Sequence, residues 1–223
     1  MKKKFNTYDP ATRAQVCWKM FMELIGNPSK GDEVFKYLTG VYSQPQRHYH
    51  VLVHIVSMHD RFFEYHKKHY LSLSTLYIQI TLAALWFHDC IRDPMARDNE
   101  ERSIRAFRRQ AKKLGLEKIV IIMVNKLIRA TKHEKFVSTV LEQLICDLDL
   151  SVFASHPSTF NKYERDIRKE YDWVDMKTFA PKRIEVLERF LKREKIFQTP
   201  FFHKKYEAKA RKNLSRSIEK LSF

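Results

Sequence analysis

The sequence predicts an all-α fold, and three observations carry that reading. Apolar residues recur at helical spacing from end to end, whereas the two-residue alternation of half-buried strands does not. Only 4 glycines occur in 223 residues, too few for a turn-rich β protein. Gly and Pro stand between the periodic runs, where they interrupt a helix at least cost. One helical bundle of about eight or nine helices is expected. At this length the chain is read as a single domain over residues 1–223.

The elements follow in order. A helix over 10–26 ends at Gly26-Asn27-Pro28, and one over 31–39 ends at Gly40. A longer one covers 46–69. The run 74–91 is the apolar one: Leu71 to Phe87 carries no charged residue, yet it is short for a membrane span, contains Ser72, Ser74, Thr75, Gln79 and Thr81, and leads into His88-Asp89. It reads as a buried central helix. Asp93-Pro94 breaks the chain before a helix over 99–114, which opens with capping-box spacing, Asp98 as N-cap and Glu101 three residues on, and closes at Gly115. Helices over 117–133 and 136–154 lead to His156-Pro157. The last three, over 158–173, 181–195 and 202–221, are separated by Ala180-Pro181 and Thr199-Pro200. Phe62, Phe63, Phe107, Phe160, Phe190 and Phe197 lie at helical spacings and read as core.

Composition narrows the function. With 44% hydrophobic and 30% charged residues the chain is ordinary globular protein, with disorder expected only at Met1 to Lys4 and the last few residues. Lys plus Arg (42) exceed Asp plus Glu (26), and a formal charge of +16 draws in polyanions such as phosphorylated substrates or nucleic acid. The basic clusters Arg105, Arg108, Arg109, Lys112, Lys113 and Lys204, Lys205, Lys209, Arg211, Lys212 read first as solvated helix faces. Cys17, Cys90 and Cys146 form neither a zinc pattern nor a disulfide set, which suits a reducing compartment. Met1-Lys2-Lys3-Lys4-Phe5 is basic, but no apolar stretch follows it before Asp9 and Pro10, so a cytoplasmic protein with no membrane partner is expected.

Three strings carry the chemistry: Tyr49-His50-Val51-Leu52-Val53-His54, Phe87-His88-Asp89 and Asp147-Leu148-Asp149. They supply imidazoles and carboxylates, the donors that a divalent ion wants in a water-activating hydrolase. If 46–69 is one helix, Arg47, His50 and His54 fall near one face and look into one pocket. Arg47 is then suited to clamp phosphate oxygens. His59-Asp60 is a second His-Asp pair, but at about 100° per residue His59 lies roughly 140° from His54. His59, His66 and His69 therefore read as solvated surface histidines.

The ordered set of strings resembles the HD superfamily of metal-dependent phosphohydrolases, whose signature is a histidine, a His-Asp pair and a distant aspartate, each on a helix. Arg47-His48-Tyr49-His50 with His54, Trp86-Phe87-His88-Asp89, Asp98-Asn99-Glu100-Glu101-Arg102-Ser103, Ala130-Thr131-Lys132-His133 and Asp147-Leu148-Asp149-Leu150 are similar to one subgroup, the predicted metal-dependent HD superfamily phosphohydrolases. Tyr163, Arg168, Glu170, Tyr171, Arg183 and Ala210-Arg211-Lys212-Asn213-Leu214 extend the likeness downstream, without an assigned role.

The resemblance implies that His54, His88, Asp89 and one aspartate of Asp147-Leu148-Asp149 hold a metal, and that His50 protonates the leaving group. Val51 stands where related phosphodiesterases often have asparagine. Glu100 reads either as a residue that orients water or a ligand histidine, or as a first-turn helix acid. His133 reads either as phosphate-facing or second-metal, or as an imidazole favoured by the end of a helix. Between the aspartates, helix geometry selects Asp149, roughly 60° from the centre of the apolar face of 136–154, over Asp147, roughly 140° away and towards solvent.

The expected activity is hydrolysis of a phosphoester or phosphoanhydride in a nucleotide or another small phosphorylated metabolite. Mn²⁺ or Fe²⁺ suits the donor set best, with Zn²⁺, Ni²⁺ and Mg²⁺ also compatible. The rivals are a phosphodiesterase for a cyclic or oligonucleotide substrate and a catalytically silent basic module that binds nucleotide or nucleic acid.

Overall fold

A computed structural model describes residues 9–69, 73–134 and 136–222. Met1 to Lys4, where disorder is expected, lie outside them, as do Leu71 and Ser72 of the uncharged run and Phe223 at the end. The described residues form ten α-helices and two 3-10 helices, with no strand. The fold is all-α as expected, although the helices number ten rather than eight or nine. They are separated by short connections, and several are short. Pro at a first turn, where its missing N–H costs nothing, opens the helices at Pro10, Pro157 and Pro200, each behind a side-chain cap from Asp9, His156 or Thr199.

The chain divides into two compact units, residues 1–137 and residues 138–223. The first holds α1 (Pro10–Leu24), α2 (Gly31–Tyr42), α3 (Leu52–His69), α4 (Thr75–Phe87), α5 (Asn99–Leu114) and α6 (Lys118–Ala130). At its centre is α4, whose residues from Ile80 to Phe87 are all buried. It packs against α1, α3, α5 and α6, which explains why the sequence offers no polar face there. Trp18 and Trp86 meet edge to face at 5.3 Å, with Phe35 stacked on Trp18. Among the described residues, no helix is long and apolar enough to cross a membrane.

The second unit holds α7 (Val140–Asp149), the 3-10 segment Leu150–Ala154, α8 (Pro157–Lys169), α9 (Met176–Leu191) and α10 (Pro200–Leu221). α10 packs along the 3-10 segment, α8 and α9. Phe153, Phe160, Tyr163 and Phe190 make one aromatic cluster, and Phe197, Phe202 and Tyr206 another. The phenylalanines expected in the core are buried, apart from half-buried Phe63.

Several boundaries differ from the sequence reading. α2 runs through Gly40, where an added Cβ would meet nothing within 4 Å, so this glycine is an exposed helix residue rather than a stop. Gly26 and Gly115 do act as stops, with φ of 71° and 70° in the left-handed region that favours glycine. Pro181 lies inside α9 instead of opening it, because the helix begins earlier, at Met176, where Asp175 caps the Thr178 N–H. The capping box expected at Asp98 is not formed: Asp98 makes no side-chain cap, and Glu101 accepts from Arg129 Nε and Nη2. A capping box forms instead at Thr139 and Glu142. The helix read over 136–154 is shorter, passing into the 3-10 segment after Asp149.

Candidate metal centre

In the first unit, three elements bring imidazole and carboxylate together. His54 stands in the first turn of α3, buried beside Ile55 and Val56. His88 caps the C-terminus of α4, and Asp89 follows it in the turn that ends the buried helix. His54 Nε2 lies 3.3 Å from His88 Nε2. Asp89 Oδ2 lies 3.1 Å from His88 Nε2 and 4.0 Å from His54 Nε2. His54 and His88 are 4% and 2% exposed, so the donors meet in a dry place, with the Asp89 side chain 17% exposed at its edge.

The remaining ring nitrogens are tied down. His88 Nδ1 lies 3.0 Å from the Leu85 carbonyl, which can only accept, so Nδ1 carries a proton and Nε2 is the ring atom turned to its neighbours. His54 Nδ1 lies 3.0 Å from the Tyr49 hydroxyl, whose ring also packs on His54. Two imidazole nitrogens and a carboxylate oxygen turned on one point favour a proton or a metal ion between them. Donor separations of 3.1 and 3.3 Å match those around an ion with bonds of about 2.1 Å to nitrogen and oxygen. These residues could therefore hold a divalent metal ion.

Arg47 and His50 reach this place from irregular backbone, not from a helix as expected, since α3 begins only at Leu52. Both are nevertheless buried, at 6% and 8% exposure. His50 Nε2 stands 3.8 Å from Asp89 Oδ2. Arg47 donates from Nη1 to the Asp89 and His50 carbonyls at 2.7 and 3.3 Å, from Nη2 to the Cys90 carbonyl at 3.0 Å, and from Nε to Gln44 at 3.2 Å. It is not a surface arginine, and its hydrogen bonds within the protein go mainly to backbone carbonyls. Glu100 is half-buried in the first turn of α5, within electrostatic reach of Lys132. His133 lies beyond the end of α6, half-buried in the left-handed region with φ 56°. Neither belongs to the donor group that could hold the ion.

Two further expectations are corrected. His59 is fully buried, against Trp86 at 5.2 Å and Phe63, because it continues the α3 stripe Ile55, Met58 and Phe62. Burial lowers its pKa to about 3. His66 and His69 are half-buried rather than solvated. In the second unit Asp147 does not face solvent: it is 0% exposed and accepts the Gln198 and Thr199 N–H groups at 2.8 Å and the Thr199 hydroxyl at 2.6 Å. Burial pushes its pKa up to about 7 against those three hydrogen bonds. Asp149, half-buried, ends α7.

The residues of the downstream likeness serve the second unit's architecture. Arg183 forks onto Glu164 and the Tyr163 hydroxyl, and Arg168 holds the Tyr171 and Val174 carbonyls. Arg211 spans the Leu191, Arg193 and Glu194 carbonyls, and Asn213 those of Phe153 and Ser155. Arg211 thus leaves the second basic cluster, whereas the first cluster is exposed on α5. Sequence reasoning gave Tyr49 no role, and nothing in its spacing reveals the contact with His54. The three cysteines are buried and form no disulfide among the described residues, with burial raising the thiols of Cys17 and Cys90 to about 11 and 12.

No family model matches the chain, and comparison with the curated proteins and with the solved structures likewise found no match.

Proposed function

We propose that the protein is a metal-dependent phosphohydrolase of the HD type, acting on a nucleotide or another small phosphorylated metabolite. The observation that carries the reading is the convergence of His54 Nε2, His88 Nε2 and Asp89 Oδ2, with both imidazoles oriented from behind. Such support from a second hydrogen bond is how proteins orient metal-binding histidines. From the order of the HD signature in the sequence, Asp149 is assigned as the fourth protein ligand. Mn²⁺ or Fe²⁺ suits this mixed nitrogen and oxygen set best. When bound, the ion would lower the pKa of a water molecule and polarise a phosphoryl oxygen. His50, 3.8 Å from Asp89 Oδ2, is the residue to hand a proton to the departing oxygen. The charge of +16 favours an anionic substrate.

The test is a screen of purified protein against nucleoside mono-, di- and triphosphates and cyclic dinucleotides, with Mn²⁺, Fe²⁺, Ni²⁺, Zn²⁺ or Mg²⁺, reading phosphate or nucleoside release. Roughly one metal per chain by elemental analysis is expected. His88→Ala and Asp89→Ala should lose both metal and turnover while keeping their helical content. His50→Ala should keep its metal and lose turnover, more for a nucleoside leaving group than for nitrophenolate, which needs no proton. Absence of metal, of thermal stabilisation on adding these ions and of turnover would sink the reading.

A further inference from the structure

The Arg47 guanidinium is spent on backbone. Three of its hydrogen bonds go to the Asp89, Cys90 and His50 carbonyls, at 2.7, 3.0 and 3.3 Å. Asp89 and Cys90 are the first residues beyond the α4 cap, where helix carbonyls lose their intrahelical partners and a cation is favoured. Tyr42, at the end of α2, adds to the same grip: its hydroxyl donates to the Trp86 carbonyl at 2.9 Å, and its ring lies under the guanidinium at 5.4 Å. One buried side chain thus ties the backbone of His50 to that of Asp89.

We infer that Arg47 is a positioning residue, which locks the His50 segment to the His88-Asp89 turn and so fixes the carboxylate of Asp89 against the imidazoles. The inference rests on the metal-site reading above. Lysine cannot replace it fully, because a single ammonium cannot span three carbonyls with the geometry of a planar fork. Arg168 supplies a control. It binds the Tyr171 and Val174 carbonyls in the second unit in the same manner, and neither residue is a candidate ligand.

Co²⁺ is the probe, because its visible absorption spectrum reports the ligand geometry while calorimetry gives its affinity. The full chain is compared with Arg47→Lys, Arg47→Met and Arg168→Met, with helical content followed by circular dichroism. Arg47→Met should bind Co²⁺ about 10–100-fold more weakly, the loss typical of a removed orienting partner, and with a changed spectrum. Arg47→Lys should fall between, and decides the matter if the methionine variant does not fold. Arg168→Met should lose thermal stability but keep the parent affinity and spectrum. Parent-like affinity and spectrum in the folded Arg47 variants would overturn the inference, as would an equal loss in Arg168→Met. Failure of the parent chain to bind Co²⁺ would instead overturn the metal-site reading itself.

Discussion

His59 and Asp147 are the residues whose chemistry is set by being covered. Neither ring nitrogen of His59 has a hydrogen-bond partner, and the ring is fully buried. A buried polar group without a partner costs about 1–3 kcal/mol, so His59→Leu should stabilise the protein by that order at pH 7. With the folded pKa lowered to about 3, the unfolded chain binds a proton below its ordinary value of 6.5 that the native chain refuses. Stability is therefore lost as pH falls from 6.5 towards 3, and the advantage of His59→Leu should widen over that window in denaturant titrations. A constant difference between pH 7 and pH 4 would refute this. Asp147 accepts three hydrogen bonds at the start of α10, so Asp147→Asn should cost about 1–3 kcal/mol of stability and leave metal retention intact. Asp149→Asn should do the reverse, losing metal with little change in the apoprotein's melting temperature. Elemental analysis beside thermal melts separates the two.

At the level of elements, the sites of closest packing are as telling as the caps. Gly31 opens α2 with an ordinary φ of −79°, so backbone freedom is not why glycine stands there. An added Cβ would lie 2.7 Å from Met22 Cγ and 3.0 Å from Trp18 Nε1, and that indole donates to the Gly31 carbonyl at 3.1 Å. Gly31→Ala should therefore destabilise by about 1–3 kcal/mol through overpacking, measured by chemical denaturation. Gly40→Ala, with open space around the site, should stabilise by about 0.5–1 kcal/mol through helix propensity. The helix start at Pro10, the breaks at Pro157 and Pro200, one and two residues before the starts read there, and the stops at Gly26 and Gly115 were legible in the chain, since they depend on one residue's φ or missing N–H. The start of α3 at Leu52 was not, because no proline or glycine marks it, and Pro181 suggests too late a start for α9, which Asp175 caps at Met176.

For the molecule as a whole, the charge of +16 makes self-repulsion a general term in stability. Raising the ionic strength from about 0.01 to 0.15 M shortens the screening length from about 30 to 8 Å. The melting temperature at pH 7 should rise with NaCl over this range. A flat or falling curve would mean that ion pairs such as Arg129–Glu101 and Arg183–Glu164 outweigh the repulsion.

By itself the sequence determined the all-α class, the buried central helix and the order of histidine and carboxylate strings, because each is written in the period, the punctuation or the adjacency of neighbouring residues. The resemblance carried by those strings pointed to His54, His88 and Asp89 as residues that would hold a metal, and those three do converge. What a helical wheel supplies is an angle from one face, and solvent was assumed on the other side. Tertiary structure decided otherwise for His59, which extends a core stripe against Trp86, and for Asp147, which meets Gln198 and Thr199 from 51 and 52 residues away. It also gave Arg47 its partners, backbone carbonyls 42 and 43 residues distant. Local pattern tells a side chain which way to point; only the packing of distant segments decides what it meets there.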